Sequence, residues 1–138
     1  MSFTRLRYHI VFTTKKRARW IRPEVEAFLY PVMIKLTRTL GGHCIRLNGI
    51  EDHIHLICAL PSSTNIDDFV CDLKSRSSSA VRAHFKNLYG FKWQDGFGAF
   101  SLDAYNMDGI IAYVENQKQH HRNNEVRELW EGIQSHLS

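Results

Sequence analysis

The stretch that most constrains the fold is HIHLICAL at residues 53–60, in which two histidines flank one bulky aliphatic residue. Its apolar and β-branched content is typical of a short strand. Successive side chains of a strand point to opposite faces, so His53 and His55 project in the same direction, about 7 Å apart at the backbone. Ile54, Leu56 and Cys58 then face the core. The pattern predicts a strand with two imidazoles on one face and a buried apolar surface on the other.

Two imidazoles on one strand face can share a divalent cation. The chain contains eight histidines, so a His-x-His pair can also arise by chance. The pair alone therefore does not establish a metal site, and other residues have to support it.

Size and charge restrict the class of protein. With 138 residues, 43% of them hydrophobic, the chain can bury one compact core, and we expect a single domain over residues 1–138. The net charge of +4 is compatible with a polyanionic partner or with an ordinary solvated surface. The positive charges concentrate in two segments, the first 22 residues and residues 74–86.

The three cysteines are widely spaced and include no Cys-x-x-Cys pair, so neither a disulfide framework nor a zinc knuckle is indicated. No apolar run has the length of a signal peptide core or a membrane span. These features predict a cytoplasmic protein with reduced thiols.

The order of predicted elements indicates the fold class. Residues 5–14, 43–50 and 53–60 are predicted strands, with a tight connection at Glu51 and Asp52. Helices are predicted at residues 24–40 and from a cap at Asn65 onward, followed by a strand near residues 97–103, a helix with Met107, Ile110, Ile111 and Val114 in its apolar stripe, and a last helix at residues 125–137. This order predicts an α+β protein, a ferredoxin-like (RRM-like) α/β sandwich with a mainly antiparallel sheet plus C-terminal helices.

Tyr113 and Gln117 are four residues apart on the predicted helix, so they are expected to lie one turn apart at the edge of its apolar stripe. Tyrosine at such an edge usually packs with its hydroxyl in water, and glutamine is usually a surface residue. By themselves they do not indicate catalysis.

Five segments in a fixed order carry a resemblance to a known family. They are YHIVFTTK at 8–15, HIHL at 53–56, LKS at 73–75, WQDGFGAFS at 93–101 and YVENQ at 113–117, followed by His120 and His121. In order and spacing they resemble the single-tyrosine HUH transposases of the insertion-sequence 200/605 type, which include the REP-associated tyrosine transposases. Phe97 departs from the family pattern, in which tyrosine is expected after the glycine.

The resemblance implies a metal-dependent transposase that cleaves and rejoins single-stranded DNA through a 5′-phosphotyrosine. It implies Tyr113 as nucleophile and His53, His55 and Gln117 as ligands of Mg²⁺ or Mn²⁺. It also implies DNA with hairpin ends as partner, and a homodimer with shared active sites. The helix that carries Tyr113 would complete either the metal site of its own protomer (cis) or that of its partner (trans), and the sequence does not distinguish the two. As candidate phosphate contacts we take the basic residues Lys15, Lys16, Arg17, Arg19, Lys74 and Arg76.

Some alternatives remain open at this stage. A ferredoxin-like sheet can bind nucleic acid without catalysis. A host-retained relative that processes repeated palindromic DNA would have the same catalytic residues. A zinc hydrolase using His53 and His55 is the least favoured, because no third histidine or carboxylate follows at the usual spacing. Trp20, Phe91 and Trp93 are more readily explained by core packing than by base stacking.

Overall fold

The computed structural model describes residues 6–122, with side chains to residue 119, and its centre is a four-stranded sheet. The spatial order is β2-β3-β1-β4, and each neighbouring pair is antiparallel. The strands are β1 (Leu6–Thr13), β2 (His43–Ile50), β3 (His53–Leu60) and β4 (Gly98–Leu102). The strands predicted at 43–50 and 53–60 are confirmed, and so is the tight turn at Glu51 and Asp52 between them.

The described residues form four helices. They are α1 (Pro23–Thr39), α2 (Ile66–His84), α3 (Met107–Glu115) and α4 (Gln117–Arg122), with short 3-10 turns at Lys15–Arg17 and Lys86–Leu88. Pro23 occupies the first turn of α1, where its missing N–H costs nothing. Asn65 caps α2 by accepting a hydrogen bond from the backbone N–H of Asp68 at 3.1 Å.

The sheet separates two apolar clusters. On one face, Ile54, Leu56 and Cys58 pack with residues of α1 and α2 in the main core. On the other face, Ile57 packs with Ile110 and Val114 of α3 in a smaller cluster. Every residue of β3 is buried, because this central strand is covered on both faces. The predicted ferredoxin-like sandwich with additional C-terminal helices is confirmed.

The helix predicted to carry both Tyr113 and Gln117 is interrupted. It ends at Glu115, and Asn116 leaves helical geometry with φ −101° and ψ 21° before α4 begins at Gln117. The Asn116 side-chain amide donates to the Ala112 carbonyl at 2.8 Å. Asparagine competes in this way for backbone hydrogen bonds and so favours helix ends. The helix predicted at residues 125–137 lies outside the described residues, and the expectation of one domain over 1–138 stays a prediction.

Candidate active site

The site begins with the two histidines of β3, which project to the same face as expected. The side chains of His53 and His55 are fully buried, and their ring centroids are 5.2 Å apart at an interplanar angle of 76°. In the sheet they pair with Thr13 and Val11 of β1. Two imidazoles this close can be directed at one ion.

Asp52 orients the first of these rings. Its Oδ1 lies 2.8 Å from His53 Nδ1, and its Oδ2 accepts a hydrogen bond of 3.3 Å from Arg17 Nε. Burial would raise the pKa of the Asp52 carboxyl, but the hydrogen bond and charge of His53 and the charge of Arg17 lower that pKa below its usual range. A proton on His53 Nδ1 leaves the lone pair on Nε2, the nitrogen that can bind a metal. From the sequence alone, Asp52 was expected to be a solvated turn residue with at most a minor electrostatic influence on a bound ion.

The second ring contacts a histidine that sequence reasoning missed. His9 of β1 is fully buried, and its Nε2 lies 2.7 Å from His55 Nδ1. The two rings are 25° from coplanar, with centroids 4.9 Å apart. The alternation of side chains along β1 could have placed His9 on one face of the sheet. Placing it next to His55 also required the register between β1 and β3, which the sequence does not give.

Tyr113 lies beside the same ring. It is 3% exposed, and its ring is edge-on to His55 with centroids 6.0 Å apart. Gln117 is fully buried at the start of α4. Its neighbour Lys118 donates from Nζ to Asn48 Oδ1 at 2.8 Å and to the Gly49 carbonyl at 3.0 Å.

Polar contacts fix the junction of α3 and α4 against β2. Arg46 Nε donates to Glu115 Oε1, and Asn48 Nδ2 donates to the Glu115 carbonyl at 3.1 Å. Asn48 pairs with His55 in the sheet register. The helices that carry Tyr113 and Gln117 therefore dock next to the histidines of their own chain.

The donor set fits a divalent cation with free coordination positions. Two neutral imidazoles and one amide oxygen suit ions of intermediate hardness and leave room for phosphate oxygens and water. Among the described side chains, those of residues 6–119, no group of three or more His, Cys, Asp or Glu is arranged to hold a metal. A zinc centre built only from those residue types is therefore not favoured in this part of the chain.

The predicted phosphate contacts differ in their surroundings. Lys16, Arg19 and Arg76 are exposed, Lys15 is half-buried, and Arg17 is held by Asp52. Lys74 instead donates to the carbonyls of Gln94, at 2.7 Å, and Gly96. Burial lowers the pKa of its ammonium, an effect that nearby Asp95 partly offsets. The contacts of Lys74 are those of a residue that holds the 94–96 loop.

The aromatic candidates pack in the interior. Phe91 and Trp93 are 1% and 3% exposed, and Trp20 packs on Phe91 with centroids 5.4 Å apart. Trp93 Nε1 donates to Ser77 Oγ at 2.9 Å. The core-packing interpretation is confirmed for Phe91 and Trp93, whereas Trp20 is half-buried and packs against the edge of the core. Among the described helices, none combines the length and apolar character that a membrane span requires.

Comparisons with known proteins find transposases similar to this chain. The chain is 24% identical over 117 residues to the ISDra2 transposase TnpA of Deinococcus radiodurans, covering 81% of this chain and 84% of that protein. It is 27% identical over 89 residues to the transposase for insertion sequence element IS200 of Salmonella typhimurium, covering 64% of this chain and 58% of the relative's length.

Two solved structures share the fold. A putative transposase from Deinococcus radiodurans superposes with a TM-score of 0.71 at 25% identity, covering 84% of this chain and 93% of that one. A REP-associated tyrosine transposase bound to a REP hairpin gives a TM-score of 0.66 at 17% identity, covering 88% of this chain and 74% of the other.

A family model described as transposase IS200 like matches residues 2–117, which is most of the chain and includes all four candidate catalytic positions. The chain therefore belongs to the IS200-like transposase family.

Proposed function

We propose that this protein cleaves and rejoins single-stranded DNA through a covalent 5′-phosphotyrosine at Tyr113. The observation that carries the proposal is the meeting of Tyr113 with His55, 6.0 Å apart by ring centroids, beside a second buried histidine on the same strand. Family membership and the similarity to transposases support it. A nucleic-acid-binding module would not need this combination of a tyrosine and oriented imidazoles.

In the proposed reaction, Tyr113 Oη attacks the scissile phosphorus and loses its proton. The bond between phosphorus and O3′ breaks, and the departing O3′ takes up a proton to become a free 3′-hydroxyl. A 3′-hydroxyl can later attack the phosphotyrosine and displace the phenolate, whose conjugate acid has an unperturbed pKa of about 10. The phenolate is a good leaving group, so the linkage stores the energy needed to rejoin strands without ATP.

His53, His55 and Gln117 would hold Mg²⁺ or Mn²⁺. When bound, the cation supplies Lewis-acid polarisation of the phosphate and offsets the charge that develops during transfer. Asp52 keeps the His53 ring in place, and the docking of Lys118 on β2 keeps Gln117 at the sheet.

As substrate we propose single-stranded DNA with a hairpin beside the cleavage site, acted on in the cytoplasm by a homodimer. One solved relative of the same fold is bound to a REP hairpin. The proposed phosphate contacts are Lys15, Lys16, Arg17, Arg19, Lys74 and Arg76, of which Lys16, Arg19 and Arg76 are exposed.

The test is covalent trapping. Hairpin oligonucleotides from the flanks of the gene, and a REP-type hairpin, are labelled at the 3′ end, which stays on the protein after cleavage, incubated with Mn²⁺ or EDTA and resolved on a denaturing protein gel. We expect a labelled protein band that requires metal and is absent in Tyr113→Phe. Tyr105→Phe is the matched control, because Tyr105 is 98% exposed. Binding on a native gel without any adduct would reject the catalytic proposal in favour of a binding module.

The ligand assignment has its own test in the same assay. We expect His53→Ala to abolish Mn²⁺-supported cleavage with the fold retained, and Gln117→Ala to weaken it less, because an amide is the poorest ligand of the three. Gln119→Ala, at an exposed position of α4, serves as control. Persistent activity of His53→Ala would reject the assignment, and an unaffected Gln117→Ala would remove Gln117 from the site.

A further inference from the structure

We propose that His9 is a positioning residue that fixes the ring orientation and tautomer of His55, so that His55 presents Nε2 to the cation. This inference rests on the proposed function and extends it to a residue outside the ligand set. It is carried by the 2.7 Å contact between His9 Nε2 and His55 Nδ1, two fully buried atoms on adjacent central strands.

The chemistry of two neutral imidazoles permits only one arrangement that allows binding. In a hydrogen bond between two ring nitrogens, one nitrogen carries the hydrogen and the other accepts. If His9 donated, His55 Nδ1 would be the acceptor and the hydrogen of His55 would sit on Nε2, which could not bind a metal. If His55 Nδ1 donates to His9 Nε2, the lone pair of His55 Nε2 is available. His9 therefore acts as the acceptor.

The position of His9 suits this role. It lies opposite Ile57 of β3 and Phe100 of β4 in the sheet register, and its ring is 5.9 Å from that of Phe100. A ring enclosed between two strands has little freedom to turn away from His55. The two proposed histidine ligands thus have different supports, a carboxylate for His53 and a neutral imidazole for His55. A second carboxylate here would add negative charge where a DNA phosphate has to approach.

If His9 only fills space, a variant of similar volume should bind Mn²⁺ as well as the wild type. If His9 orients His55, binding should depend on the hydrogen-bond acceptor, and two variants distinguish these roles. His9→Phe keeps an aromatic ring of similar volume but removes the acceptor. His9→Gln loses the ring but can bring its Oε1 near the position of Nε2. His43→Gln, at an exposed histidine of β2, is the matched control.

The experiment measures Mn²⁺ affinity by electron paramagnetic resonance of the free ion, together with thermal unfolding without metal. Loss of a residue that supports a ligand typically weakens metal binding by about 10- to 100-fold, and we expect this range for His9→Phe. We expect His9→Gln to recover most of the affinity and His43→Gln to match the wild type. In cleavage assays, His9→Phe should need more Mn²⁺ for half-maximal rate and approach the wild-type rate at saturation.

The results of this experiment can reject the role of His9 without rejecting the proposed function. If the wild type binds Mn²⁺ and His9→Phe binds it equally well, the inference is wrong and the proposed function stands. If His9→Gln loses as much affinity as His9→Phe, the role is packing and the inference is again rejected. If the wild type does not bind Mn²⁺, both the metal part of the proposed function and this inference fall.

Discussion

At the residue scale, the site consists of buried polar groups held by specific partners. His53 contacts a carboxylate and His55 contacts a second imidazole. Burying such groups is costly unless their hydrogen bonds are made, so the partners stabilise the site as well as orient it. Asp52 also accepts from Arg17, which connects the basic 3-10 turn to the site.

Asp52→Asn tests the support of His53. The amide oxygen can still accept from His53 Nδ1, but the negative charge is lost. We expect Mn²⁺ affinity to fall by about 10-fold, which is the smaller end of the 10- to 100-fold loss typical when a group that supports a metal ligand is changed. Calorimetric titration with Mn²⁺ measures this directly. Glu51 is the exposed acidic neighbour in the same turn, and Glu51→Gln should leave the Mn²⁺ affinity unchanged. Equal losses of affinity in both variants would show that negative charge near the site matters, and not the contact of Asp52 with His53.

At the element scale, the loop that precedes β4 connects α2 to the end of β1. Lys74 of α2 holds the carbonyls of Gln94 and Gly96, while the Gln94 N–H donates to the Thr13 carbonyl at 2.8 Å. The Lys15 N–H donates to the Lys92 carbonyl at 2.9 Å. The LKS and WQDGFGAFS segments, about twenty residues apart in the chain, thus meet to position the basic turn.

Lys74→Met tests this structural role. It keeps most of the aliphatic length but leaves two loop carbonyls without their donor, so we expect a loss of about 1–3 kcal/mol in the free energy of unfolding. Urea denaturation followed by circular dichroism gives the value. Lys86→Met, at an exposed lysine of the second 3-10 turn, should change stability little. An unchanged stability in Lys74→Met would contradict this structural role.

At the scale of the whole molecule, the sheet divides a large apolar core from a smaller layer that contains the site. The core side holds α1 and α2, whereas α3 packs on a smaller cluster of Ile57, Ile110 and Val114, which partly buried Ile45, Leu102, Met107 and Ile111 extend. Polar, partly exposed contacts also join α3 and α4 to β2. The four candidate catalytic side chains are at most 3% exposed, so we expect DNA to gain access through displacement of α3 and α4.

Hydrogen exchange measures this difference in local stability. We expect amides of α3 to exchange faster than those of β1 and β3, because α3 packs on a smaller apolar cluster than the main core. Arg46→Ala should accelerate exchange in α3 and leave α1 unchanged, since it removes the contact with Glu115. Arg38→Ala, exposed at the end of α1, is the control. Exchange in α3 as slow as in β3 would argue against access by displacement.

The thiols report on the core side of the sheet. Burial raises the pKa of Cys44 to about 11, an effect that nearby Arg46 partly offsets, and burial raises the pKa of Cys58 to about 12. At pH 8 little thiolate therefore exists at either residue, and the fraction grows only as the pH rises toward these values. With Ellman's reagent at pH 8, we expect the exposed Cys71 to react rapidly and the other two slowly until the protein unfolds. Rapid reaction of all three would contradict the burial of β3.

The sequence by itself determined the local structure. Alternation in β3 placed His53 and His55 on one face, and the turn residues, Pro23 and Asn65 bounded the strands and helices, because these signals act over a few residues. The tertiary structure alone decided which distant groups meet. The pairing of His9 with His55 depends on a register between strands 46 residues apart, which packing on both faces of the sheet selects. The role of Lys74 likewise depends on a carbonyl twenty residues along the chain that only folding brings within reach.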